Sequence, residues 1–129
     1  MFAKTVTVMI QEQDYHLAYT VKAMFEIMDL LGEKDLMTVM MDNTGKEYQN
    51  LCQMAEIMSK AAEELLFYEG QASGKVLNAE ELKIGARPVD LLALKSAMTQ
   101  AVAFGYGREV KDEEDEVDLG LAELQKKTE

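Results

Sequence analysis

At 129 residues the chain is about the size of one domain, long enough to bury roughly two-thirds of the surface it exposes when unfolded. Hydrophobic residues make up 48% and charged residues 29%, globular rather than disordered proportions, and a mean hydropathy of -0.17 gives no sign of membrane insertion. Thirteen basic against twenty-four acidic residues leave a net charge of -11, which repels nucleic acid phosphates and anionic lipid, so neither is expected as a partner.

Met1 to Thr7 pass straight into alternating apolar and polar residues and lack the basic and long apolar regions of a signal peptide, so the protein is expected to stay where it is made. Over 5–19 the period is two: Val6, Val8 and Ile10 share one face, the polar run Gln11-Glu12-Gln13-Asp14 interrupts, and Tyr15, Leu17 and Tyr19 resume. This predicts a hairpin with a loop of about four residues. At Thr20, a cap residue, the period becomes helical, with Val21, Met24, Phe25, Met28 and Leu31 as the inward face and Gly32 as the stop. A short second helix is expected after Asp35, with Leu36, Val39 and Met40 inward, ending in the turn sequence Asn43-Thr44-Gly45.

The longest helical pattern covers 46–68, with Leu51, Met54, Ala55, Met58, Ala62 and Leu65 inward and lysines and glutamates opposite. Gln71 to Lys75 are small and polar, the best loop candidate. Asn78 followed by Glu81 is close to a capping box and opens a short helix over 80–84. Pro88, the single proline, suits the first turn of a last helix over 88–104, whose apolar face is Leu91, Leu94, Met98, Ala101 and Val102 and which Gly105 and Gly107 close. From Arg108 onward nine acids and four bases give a net -5, a self-repelling block expected to form a disordered acidic tail. The expected architecture is therefore α+β and mostly α: one domain over 1–107, a hairpin packed on four to five helices, and a flexible tail over 108–129.

Nucleophilic catalysis needs a thiol or hydroxyl beside an oriented base. The chain has one histidine, His16, and one cysteine, Cys52. They read more simply as a half-exposed strand residue and a small buried hydrophobe than as a dyad. A lone cysteine forms no intramolecular disulfide, which suits a reducing compartment. One Cys and one His do not make the four-ligand set of a zinc site, and the acids of 112–118 lack the glycine and distant glutamate of an EF-hand loop. Gly105-Tyr106-Gly107-Arg108 follows a helix rather than a strand and reads as a helix stop, not a phosphate loop. No catalytic, cofactor or metal residues are assigned, and an enzyme is not expected.

The ten methionines are the unusual feature. Most fall at inward positions and read as core filling, but Leu36, Met37, Val39, Met40 and Met41 make one short helix apolar around most of its girth, more than one buried face requires. These five are the candidate partner-binding residues.

Asp14-Tyr15-His16-Leu17-Ala18-Tyr19-Thr20-Val21-Lys22-Ala23-Met24-Phe25-Glu26-Ile27, where a strand passes directly into a helix, followed by Leu30-Leu31-Gly32, resembles the tail assembly chaperones of long-tailed bacteriophages, prophages and gene-transfer particles. The likeness extends more loosely through the helices to Gly107. It implies a non-enzymatic, cofactor-free protein of the bacterial host cytoplasm, absent from the mature virion, that binds the tape measure protein and keeps it soluble while the tail tube assembles. The major tail protein and a second copy of the chain are further partners it leaves open. It also implies a longer frameshifted form in many members, with which Lys126-Lys127 is compatible. The alternative is a structural virion subunit such as a head-tail connector or tail-completion protein.

Overall fold

The computed structural model describes residues 4–108. The acidic tail expected from 108 onward lies, Arg108 apart, outside the described residues. Two strands, β1 (Val6–Ile10) and β2 (Gln13–Leu17), pair antiparallel, and five helices follow: α1 (Val21–Leu31), α2 (Leu36–Met41), α3 (Tyr48–Tyr68), α4 (Ala79–Gly85) and α5 (Pro88–Gly105). The fold is mostly helical α+β, an N-terminal hairpin packed against five helices.

Val6, Val8 and Ile10 are buried while Thr7 and Met9 face out, as the alternation predicts. The turn differs from expectation. Ile10 pairs with Gln13, so the loop is the two residues Gln11 and Glu12, with φ of 50° and 69°. Positive φ at both central positions is the primed turn that matches strand twist, normally occupied by Asn-Gly. Here polar side chains take its place, which made the run look like a longer loop, and Gln11 Nε2 donates to the Gly85 carbonyl at 2.9 Å.

Four of the five helix starts have a local cause, the exception being α3, whose first residue follows Glu47 with no side-chain cap. The Ala23 N–H donates to Thr20 Oγ1 (3.1 Å), Thr38 N–H to Asp35 Oδ2 (3.3 Å) and Glu81 N–H to Asn78 Oδ1 (3.0 Å), each satisfying an otherwise orphan first-turn donor. Pro88 opens α5 as expected.

The centre of the molecule is α3, which touches β2 and helices α1, α2, α4 and α5, while α5 covers β1. Leu51, Met54, Ala55, Met58 and Ala62 are buried on it, joined by Leu17, Ile27, Leu94 and Met98. Two details of α3 depart from the pattern: Leu66 is buried where Leu65 is only half-buried, and Glu63, placed on the solvated side by periodicity, is buried. Ala18 N–H donates to the Met58 carbonyl (3.0 Å), tying the β2–α1 junction to the middle of α3.

The polar loop after Gly70 has no regular structure, yet three α3 side chains hold it. Glu63 Oε1 accepts from the Ser73 and Gly74 N–H groups (2.9 and 2.7 Å) and from Ser73 Oγ (3.1 Å). Ser59 Oγ accepts from Leu77 N–H (3.0 Å) and Glu56 Oε1 from Ala79 N–H (2.8 Å). A loop whose backbone donors would otherwise need water is thereby closed over the core.

Candidate docking surfaces

The expected contact helix α2 divides. Val39 and Met40 are buried in the core and Leu36 packs half-buried against it, so these three are not available as a free binding face. The physical reason is the helix's length: two turns lying on α3 and α1 spend most of their apolar girth on the core. Met37 and Met41, four residues apart and thus on one face, remain 44% and 48% exposed.

Helix α1 departs from expectation in the opposite direction. Val21, Phe25 and Met28, assigned to the core by their spacing, are 67%, 58% and 56% exposed; Leu31 is buried as expected, but its buried companions are Ala23 and Ile27. Eight of its eleven residues are apolar, and Lys22, Glu26 and Asp29 form one narrow polar stripe. Both rows satisfy helical spacing, so periodicity alone chose between them wrongly. The signal that could have found the surface was the excess itself: more apolar residues than one buried face holds. Methionine use follows the same division, with Met40, Met54, Met58 and Met98 buried, Met24 partly so, and Met9, Met28, Met37 and Met41 exposed.

A groove of about 490 Å³ lies among the loop after α2, the start of α3 and the α4–α5 junction. Its apolar wall is Val39, Tyr48, Leu51, Ala86 and Leu91, and Lys83, Arg87 and Lys95 stand around it. Two acids also line it, both with their oxygens engaged. Asp42 accepts from Thr44 Oγ1 (2.6 Å) and from the N–H groups of Thr44, Gly45 and Glu47 (3.2, 3.1 and 3.2 Å), and the hydroxyl followed by these amides holds its carboxyl below the ordinary range. Glu47 takes two bonds from Lys34 Nζ (3.0 and 2.8 Å) and one from Asn50, which likewise depress it.

On the groove's other side, Asp90 accepts from Arg87 Nε, Nη2 and backbone N–H (3.1, 3.1 and 2.9 Å), and that guanidinium holds the buried carboxyl at about 2. Lys95 Nζ donates to the Asp42 carbonyl (2.6 Å), pinning the loop to α5. The Tyr48 hydroxyl donates to the Leu82 carbonyl (2.7 Å), and burial pushes its pKa up to about 12.

A shallower hollow of about 550 Å³ beside the end of α3 is flanked by Phe67, Tyr68 and Val76, all exposed. Near it, His16 Nδ1 lies 3.7 Å from Glu63 Oε2, and neither buried atom has a hydrogen bond among the described residues.

His16 and Cys52 are not brought together. His16 faces Glu63, eleven residues and about 16 Å of helical rise from Cys52. Cys52 is buried beside Tyr48, and burial raises its thiol pKa, which disfavours the thiolate that nucleophilic chemistry uses. Among the described residues no three His, Cys, Asp or Glu side chains are placed to hold a metal ion, and no helix is long and apolar enough to cross a membrane. Comparison with family models, with curated proteins and with solved structures finds no match to this chain.

Proposed function

We propose that the chain is a protein-binding module that presents apolar helix surface to a partner. The observation that carries this is the exposed row Val21, Phe25 and Met28 on α1, with Met37 and Met41 on the neighbouring α2. An aromatic ring flanked by flexible thioethers can repack against successive turns of a long apolar helix, and each such side chain contributes roughly 1.5–3 kcal/mol when fully buried. The particular role proposed is a phage or prophage tail assembly chaperone in the bacterial cytoplasm, with the tape measure protein as client. Its support is the resemblance carried by Asp14 to Gly32, which includes this α1 row. The net charge of -11 suits a protein that must keep a coated client in solution.

Co-expression with a tape measure protein tests both levels. Phe25→Glu with Met28→Glu is expected to move most of the client from the soluble to the insoluble fraction, and Met37→Glu with Met41→Glu to move a smaller share. Wild-type client solubility in both double variants would overturn the reading. Mass spectrometry of purified particles separates the chaperone from a head-tail connector or tail-completion subunit: a chaperone is absent, whereas a structural subunit is present in stoichiometric amount.

A further inference from the structure

We infer that the groove beside α5 is a docking site for this chain's own acidic and apolar segment 112–124. The inference is separate from the client-binding reading, which concerns the outer faces of α1 and α2. Its first ground is charge. Three of the ten basic residues between Lys4 and Arg108, namely Lys83, Arg87 and Lys95, converge on one groove of a chain whose net charge is -11. Arg87 is paired with Asp90 and Glu47 with Lys34, while Asp42 keeps its charge among neutral donors, so the cations left over are Lys95 and Lys83, the latter with no ion pair among the described residues. Two lysines against the one carboxylate of Asp42 leave a positive balance beside an apolar wall, which fits an occupant with acids next to aliphatic side chains. Residues 112–124 have that composition: Asp-Glu-Glu-Asp-Glu-Val-Asp-Leu-Gly-Leu-Ala-Glu-Leu.

The second ground is reach. From Leu91 at the groove to Gly105 at the end of α5 is fourteen residues, about 21 Å of rise. Nine residues, 109–117, span up to about 30 Å when extended, so Val117 to Leu121 reach the wall formed by Tyr48 and Leu91. Tethering sets a local concentration of roughly mM, so even a contact of mM affinity is substantially occupied.

A nitroxide at Ala122→Cys in the full chain tests this; Cys52, buried, stays unlabelled. At low ionic strength the amide signals of Lys83, Arg87 and Leu91 are expected to lose about half their intensity or more relative to the reduced label. Lys83→Glu, or about 0.5 M NaCl, is expected to restore them. The proposal is overturned if those signals match the reduced control, if Lys83→Glu leaves the loss intact, or if the loss falls on α1 instead. Equal loss in a mixture of isotope-labelled chains with separate spin-labelled chains would make a second copy the occupant and would also overturn it.

Discussion

Gly105 stands where the end of α5 meets the β2–α1 junction. A Cβ there would lie 2.5 Å from the Tyr19 carbonyl oxygen and 2.9 Å from Tyr19 Cδ2. Helix propensity alone favours alanine by about 1 kcal/mol. The obstruction decides the sign, because a backbone oxygen cannot swing away as a flexible side chain would. Gly105→Ala is therefore expected to destabilise by about 1–3 kcal/mol in urea unfolding, the usual cost of overpacking; an unchanged or raised midpoint would contradict it. The same contact seats Tyr106 beside Tyr19, ring centroids 5.8 Å apart, with its hydroxyl 3.9 Å from Met24 Sδ. What reads in sequence as a simple helix stop is also a packing surface.

At the scale of elements, the hairpin turn holds two non-glycine residues in left-handed conformation, each costing about 1–2 kcal/mol relative to a residue free to adopt it. Gln11 is partly compensated by its bond to the Gly85 carbonyl, whereas no hydrogen bond or ion pair to the Glu12 side chain appears among the described residues. Glu12→Gly is expected to stabilise the fold by about 1 kcal/mol, read as a raised unfolding midpoint; a lowered one would mean that Glu12 makes a contact that matters more than its strain. The order of elements was legible because most boundaries have a chemical mark: Thr20, Asp35 and Asn78 as caps, Pro88 at a first turn, and period two giving way to 3.6. The turn length was not, since Gln-Glu lacks the residues that announce a primed turn. Nor was the inward face of α1, where two apolar rows compete and only the packed neighbours choose. The same holds for α2, where Met37 and Met41 belonged to a candidate surface but Val39 and Met40 did not. Local pattern locates a helix; its rotation about its own axis depends on what it meets.

For the whole molecule, acidity sets the solution behaviour. The isoelectric point is about 4.5, where loss of net charge favours association. Asp90 takes up its proton in the folded chain only at about pH 2, against 3.8 ordinarily, because Arg87 holds it ionised. A depressed carboxyl stabilises fully above its unfolded value and loses that contribution as pH falls through its folded one. The fold should therefore persist at pH 4.5 and fail between about pH 4 and 2. Turbidity near pH 4.5 is expected to be reversible with the helical circular dichroism intact, and Asp90→Asn to flatten the acid dependence below pH 4. Loss of helical signal together with the turbidity would contradict this.

The pairing of β1 with α5 has a consequence in time. Val6, Val8 and Ile10 are covered by a helix that begins 78 residues after the first strand ends. At ordinary synthesis rates the hairpin leaves the ribosome on the order of ten seconds before its cover. During that interval three β-branched side chains face water in a nascent chain, so the hairpin's inner face stays uncovered until the last helix has been made.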